Sequence, residues 1–167
     1  MKIAIDSCSV ILLAKASVLE AFADNHRLCI VNNVYKEVLE GKSKKFIDAL
    51  LAEKLVKESK ISIRKAKNAN LIKKLMNDFN IGAGEAGTLT LALDKECDAV
   101  CTDNKQGRKV AMLNNLNLVG SIDVVVSLYK LKRIDKNKAV GALKNLKEFG
   151  WFHEYLIEKA VEDVKNV

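Results

Sequence analysis

The order of elements predicts an α/β protein with a mainly parallel sheet of about five short strands, covered by helices on both faces. Short apolar runs alternate with longer stretches whose apolar residues recur at helical spacing. The 167 residues contain no proline, no repeat, no low-complexity segment and no obvious linker, so one domain with its own core is expected. Two of the strand-like runs end in an aspartate, Asp6 and Asp103.

The first strand is Lys2-Ile3-Ala4-Ile5, and a helix is expected from Ser9 to about Phe22. Leu28-Cys29-Ile30-Val31 reads as a second strand, and Asn32 or Asn33 can cap the helix that follows. Phe46, Ile47, Leu50, Leu51 and Leu55 mark another helix, and Leu71, Ile72, Leu75, Met76 and Phe79 a further one. A helix from Gly84 to about Lys95 precedes the strand Ala99-Val100-Cys101-Thr102. Residues 105–114 have a helical pattern, Leu116 to Val119 is a short strand, and 121–132 is helical again. Two helices, about 136–148 and 152–165, finish the chain.

No apolar run approaches the ~18 residues that a membrane span needs. The N-terminus has one lysine and then an acid, unlike a signal peptide, so a soluble cytoplasmic protein is expected. Of the four cysteines, Cys97 and Cys101 have no histidine or cysteine pair to complete a zinc site, and buried free thiols are expected there. The net charge is +7, with lysines crowded in residues 42–74 and 130–147. That excess favours a polyanionic partner, because neutralising phosphates releases counterions.

Four acids carry the chemistry: Asp6, Glu37, Glu85 and Asp103. In an open parallel sheet, ligands collect at the carboxyl ends of strands, where Asp6 and Asp103 fall. Carboxylates crowded together need a positive charge among them, and a hard cation, Mg²⁺ or Mn²⁺, is the natural choice. Three of them also have an ordinary reading. Glu85 suits the first turn of a helix, Asp103 suits an N-cap, and Glu37 borders the apolar face marked by Val34 and Val38. Glu40, beside Gly41 at the predicted helix end, competes with Glu37. Lys105 and Arg108 lie one helical turn apart and can grip a phosphate, with Ser7 and Asn104 as polar candidates for nucleic-acid contacts beside them.

Gly82-Ala83-Gly84-Glu85-Ala86-Gly87 matches G-x-G-x-x-G, but a helical pattern precedes it where a nucleotide-binding loop needs a strand. No P-loop and no G-x-S-x-G elbow is present. Trp151, Phe152 and Tyr155 form an aromatic cluster expected to serve core packing or a dimer contact rather than base stacking.

Taken in order, Ile5-Asp6-Ser7, Val34-x-x-Glu37-Val38, Gly82-x-Gly84-Glu85-Ala86 and Thr102-Asp103-Asn104 resemble the PIN-domain ribonucleases, including the toxins of VapBC-type toxin–antitoxin modules. The resemblance runs roughly from Met1 to Tyr129 and takes in Asn117-Leu118-Val119-Gly120-Ser121. It implies a three-layer α/β/α sandwich, with a core of about 1–130 and a helical extension of about 135–167. It also implies that Asp6, Glu37, Glu85 and Asp103 form an acidic quartet around Mg²⁺ or Mn²⁺, with Ser7 as the small hydroxyl residue after the first aspartate. Two positions depart from the pattern: Asn104 stands where many relatives have a second aspartate, and Cys8 where a small polar residue is usual. The implied activity is an endoribonuclease that hydrolyses phosphodiesters with a metal-activated water, leaving a 3′-hydroxyl and a 5′-phosphate. A toxin held by a small antitoxin protein, and a homodimer, are the partner expectations besides RNA. The alternatives are a PIN-like domain that binds RNA or protein without cutting, which Asn104 keeps open, and a phosphatase-like or nucleotide-handling α/β protein.

Overall fold

The structure, a computed structural model, describes residues 1–40 and 46–166. The expected helix end at Gly41 and the lysines at 42, 44 and 45 of the first basic stretch lie outside the described residues. Five strands, β1 (Lys2–Ile5), β2 (Arg27–Val31), β3 (Ile61–Arg64), β4 (Ala99–Cys101) and β5 (Leu118–Val119), form one sheet in the order β3-β2-β1-β4-β5. Every pairing is parallel. Parallel neighbours need crossovers, and helices supply them. They are α1 (Ser7–Lys15) and α2 (Leu19–Asn25), α3 (Asn32–Glu40) and α4 (Ile47–Lys57), α5 (Ala69–Phe79) and α6 (Ala83–Leu93), then α7 (Lys105–Leu113). Three more helices, α8 (Ser121–Lys130), α9 (Lys136–Phe149) and α10 (Glu154–Lys165), complete the chain.

The result is a three-layer α/β/α sandwich. Beyond their first residues, Lys2 and Arg27, the central strands are apolar because both of their faces are covered: Ile3, Ala4, Ile5, Ala99, Val100 and Cys101 are all buried. One core joins β1 and β2 to α1, α2, α3, α8, α9 and α10. The other packs Leu75, Ile81, Leu89 and Val110, from α5, α6, α7 and the turn before α6, against Val100. The strand order reverses between β1 and β4, which makes their carboxyl ends the topological switch point of the sheet.

Three expectations change. The helix expected over Ser9 to Phe22 is two helices, α1 and α2. Ser17 takes a left-handed φ of 58°, and the bonds Ser17 N to Ala14 O and Val18 N to Leu13 O close α1 in a Schellman motif. The same pair of bonds closes α4 at Ser59, α6 at Lys95, α7 at Asn115 and α8 at Lys132, none of them a glycine. Second, β3 had no counterpart in the pattern. Ile61-Ser62-Ile63-Arg64 is short and sits at the sheet edge, where Ile63 is 42 % exposed, so it lacks the continuous apolar run of a buried strand. Third, the aromatic cluster divides. Phe152 packs on the core, whereas Trp151 and Tyr155 are exposed. Cys97 and Cys101 are buried free thiols, as expected, and Cys29 is a third.

Candidate active site

Asp6 is the residue at which β1 becomes α1. Its backbone is extended (φ −85°, ψ 170°), and its N–H still pairs with Cys101 O of β4 at 3.2 Å. The side chain caps α1, Oδ1 accepting from Ser9 N at 2.8 Å. Oδ2 accepts from Thr102 Oγ1 at 2.5 Å. The residue is only 1 % exposed. Burial pushes its carboxyl up to about 6, against the lowering effect of the bonds from Thr102 and Ser9, and Asp103 adds a smaller upward push.

Asp103 follows β4 directly after Thr102. Its Oδ1 accepts from Ser121 N at 2.9 Å, and its Oδ2 from Ser9 Oγ at 3.1 Å and from Ser121 Oγ. Ser9 therefore reaches both strand ends, Asp6 through its N–H and Asp103 through its hydroxyl. Asp103 does not cap α7. Asn104 does, its Oδ1 accepting from Gln106 N at 2.8 Å and Gly107 N at 3.1 Å. That occupies the carbonyl of a residue expected to contact RNA.

Glu85 lies in the first turn of α6, and its Oε2 accepts from Gly82 N at 3.2 Å. Gly82 has no side chain to return the bond, so this is half of a capping box. Helix α6 leads into β4 and runs against the strands, so its N-terminus sits at their carboxyl edge. Cys8 reports the acids around it. Although the residue is exposed at the surface, its thiol is pushed up to about 12, first by desolvation and then by Asp6, Asp103 and Glu85. Glu37, on α3, is exposed, and its carboxylate lies over Gly84. A Cβ built there would stand 2.6 Å from Glu37 Oε1. Glu37 and Glu85 thus flank the start of α6, while Asp6 and Asp103 share Ser9. Among the described residues, no group of three or more His, Cys, Asp or Glu is arranged to hold a metal ion, so the quartet is not gathered into one ligand set.

The remaining candidates surround this edge. Arg108 Nη1 donates to Thr102 O at 3.4 Å, so the guanidinium is partly tied to the backbone of the strand end. It packs at Gly120, where an added Cβ would lie 3.0 Å from Nη1 and 3.2 Å from both Asp103 Oδ1 and Asp123 Oδ2. Lys105 is exposed at the start of α7, and Ser7 opens α1 half-buried. Ser9 and Asp123 escaped the sequence reading, and Thr102 and Ser121 entered it only inside motifs, with no role of their own. The spacing Asp6-x-x-Ser9 is an N-cap signature that could have found the first of them, and Thr102 adjoins Asp103. Ser121 closes the run Asn117-Leu118-Val119-Gly120-Ser121, which the resemblance takes in without giving the serine a role.

The donor chemistry suits a hard cation. Asp6 and Asp103 offer carboxylate oxygens, with the hydroxyls of Ser9, Thr102 and Ser121 behind them. Mg²⁺ commonly takes one or two carboxylates and completes its shell with water and substrate phosphate, which two protein carboxylates allow.

Among known proteins, a family model described as a PIN domain matches residues 2–166, a span that includes α9 and α10. No curated protein and no solved structure matches the chain.

Proposed function

The chain belongs to the PIN-domain family, whose members are generally nucleases, and we propose that it is a divalent-metal-dependent endoribonuclease. The observation that supports this most is the placement of Asp6 and Asp103 at the carboxyl ends of adjacent strands, at the switch point, joined by Ser9. Asp6 and Asp103 would hold Mg²⁺ or Mn²⁺, directly or through water, with Glu37 and Glu85 completing the acidic surround. Such a cation, when bound, lowers the pKa of a coordinated water and offsets charge on the attacked phosphate.

The protein's own groups do the positioning. Thr102 and Ser9 fix the Asp6 carboxylate, and Ser9 and Ser121 fix that of Asp103, so neither has to reorganise when substrate arrives. Lys105 is free to meet a phosphate, and Arg108 offers the guanidinium nitrogens not used on Thr102. Water oxygen attacks phosphorus in line, the P–O3′ bond breaks, and the leaving oxygen takes a proton, giving a 3′-hydroxyl and a 5′-phosphate. No protein nucleophile is needed. The alternative of a PIN-like domain that binds without cutting keeps its motive in Asn104, which caps α7 but lacks the charge an aspartate would bring there.

Cleavage of a defined single-stranded RNA panel, with Mn²⁺ and with chelator, tests the activity. Products with 5′-phosphates that appear only with metal are expected; metal-independent cleavage or none would overturn the proposal. The finer reading, a toxin restrained by an antitoxin, predicts growth arrest on expression that Asp103→Asn abolishes.

A further inference from the structure

A groove adjoins the candidate site between α1, α7, α8 and α10, and Trp151 is part of its lining. Ser7 and Lys15, at the two ends of α1, both line it, so α1 alone gives it a length of about 12 Å. At the far end Lys15 Nζ sits 5.1 Å over the Phe149 ring, and beside them Trp151 is completely exposed (104 %). A fully solvated indole has a cost that core packing does not explain, and both its faces are open. Six cationic side chains, Lys15, Lys105, Arg108, Lys109, Lys130 and Lys159, share with Asp103, Asp123 and Asp163 a lining that is otherwise largely apolar, with Ile11, Ile122, Val126 and Leu156 in it. Asp103 belongs to the candidate site, and Asp123 accepts from Gly120 N at 2.8 Å as the cap of α8.

We infer that this groove carries single-stranded RNA away from the scissile phosphate, with Trp151 as the platform on which one base stacks. The inference rests on the ribonuclease reading of the Asp6–Asp103 site. Cations along the walls follow a backbone, and an open aromatic accepts any base by its π-face, which is how single strands are held without sequence readout. A polynucleotide is favoured over a peptide because the groove opens at Asp103, where a bound phosphate must lie. Any strand threaded through the site then has this channel as its course. Phe152 serves core packing as expected, and base stacking is the use inferred for Trp151 in place of packing or a dimer contact.

Trp151 is the only tryptophan in the chain, so its fluorescence reports on this position alone. The test titrates chelator-treated protein with an unlabelled twelve-nucleotide oligoadenylate, which cannot be cut without metal. Saturable quenching is expected, shared by the Asp103→Asn protein and weakened by salt. Trp151→Ala should reduce affinity about 5- to 100-fold by anisotropy of a labelled oligomer, and Trp151→Phe much less. Thermal melts of both variants should match wild type, because the side chain makes little contact. No quenching, or unchanged affinity in Trp151→Ala, overturns the inference, even where metal-dependent cleavage persists. Quenching without cleavage under any metal would instead overturn the nuclease reading and leave the groove as an RNA path. A blue shift that grows with protein concentration without RNA, or on adding an acidic amphipathic peptide that competes with the oligomer, would make the groove a protein interface and also overturn it.

Discussion

Thr102 donates its hydroxyl to Asp6 across 2.5 Å, joining two residues 96 positions apart at the ends of neighbouring strands. That bond favours the ionised carboxylate, yet burial outweighs it and leaves the Asp6 carboxyl near 6. The site holds an acid with a cost to its own charge, which is a state that a cation relieves.

A pH dependence of stability follows. The unfolded carboxyl ionises near 3.8 and the folded one near 6, so the unfolded state loses its proton first as pH rises. Stability therefore falls between about pH 4 and pH 6 and is level above that. The gap corresponds to on the order of 3 kcal/mol at neutral pH. Asp6→Asn should be more stable than wild type at pH 7 and nearly equal at pH 4, in urea melts with chelator. Parallel pH profiles for the two proteins would refute this account. Mg²⁺ or Mn²⁺ should flatten the wild-type slope and leave that of the variant alone.

Asp103→Asn separates chemistry from folding. Asparagine can still accept from Ser121 N, and the cap of α7 is untouched because Asn104 supplies it. Metal-free stability should hold or rise, since Asp103 adds to the pressure on Asp6. Mn²⁺ affinity and RNA cleavage should drop by orders of magnitude. Cleavage within a few-fold of wild type would remove Asp103 from the mechanism.

Gly84→Ala probes Glu37 without touching it. An alanine Cβ would lie 2.6 Å from Glu37 Oε1, the far end of a flexible side chain, so the carboxylate must move. Alanine inside a helix should itself stabilise α6, by about 1 kcal/mol relative to glycine. The expected outcome is a melting temperature no lower than wild type with cleavage reduced several-fold, as in Glu37→Gln. Full activity in both variants would place Glu37 outside the site.

RNA affinity should fall steeply with salt. Each phosphate contact contributes roughly 0.7 to the log–log slope for single strands, so Lys105→Ala should lower the slope by about that amount. A flat salt response would mean that the groove cations meet no backbone.

What the amino-acid order determined by itself was local. The runs 3–5, 28–31 and 99–101 are apolar enough to be strands buried on both faces, and the periodicity of residues 69–79 is helical, while 83–93, buried on nearly every side, has no such stripe. Asp6, Glu85 and Asp103 were visible because each falls where an element begins or ends, whereas Glu37, inside α3, was marked only as bordering its apolar face. The ends of α1, α4, α6, α7 and α8 were harder to see, because each places a serine, lysine or asparagine in the left-handed turn that a glycine would have announced. The tertiary structure alone decided which of the acids meet. Asp6 and Asp103 are neighbours because the chain crosses from β3 over the sheet to lay β4 beside β1, a pairing made of backbone hydrogen bonds with no side-chain signature. Ser121 reaches Asp103 only because β5 extends that edge. Trp151 stands in solvent because α9 and α10 bury Leu143, Leu146 and Ile157 and leave their connecting loop outside. Burial and partner choice are properties of the packed whole, and a side chain's charge, reach and exposure there depend on residues far from it along the chain.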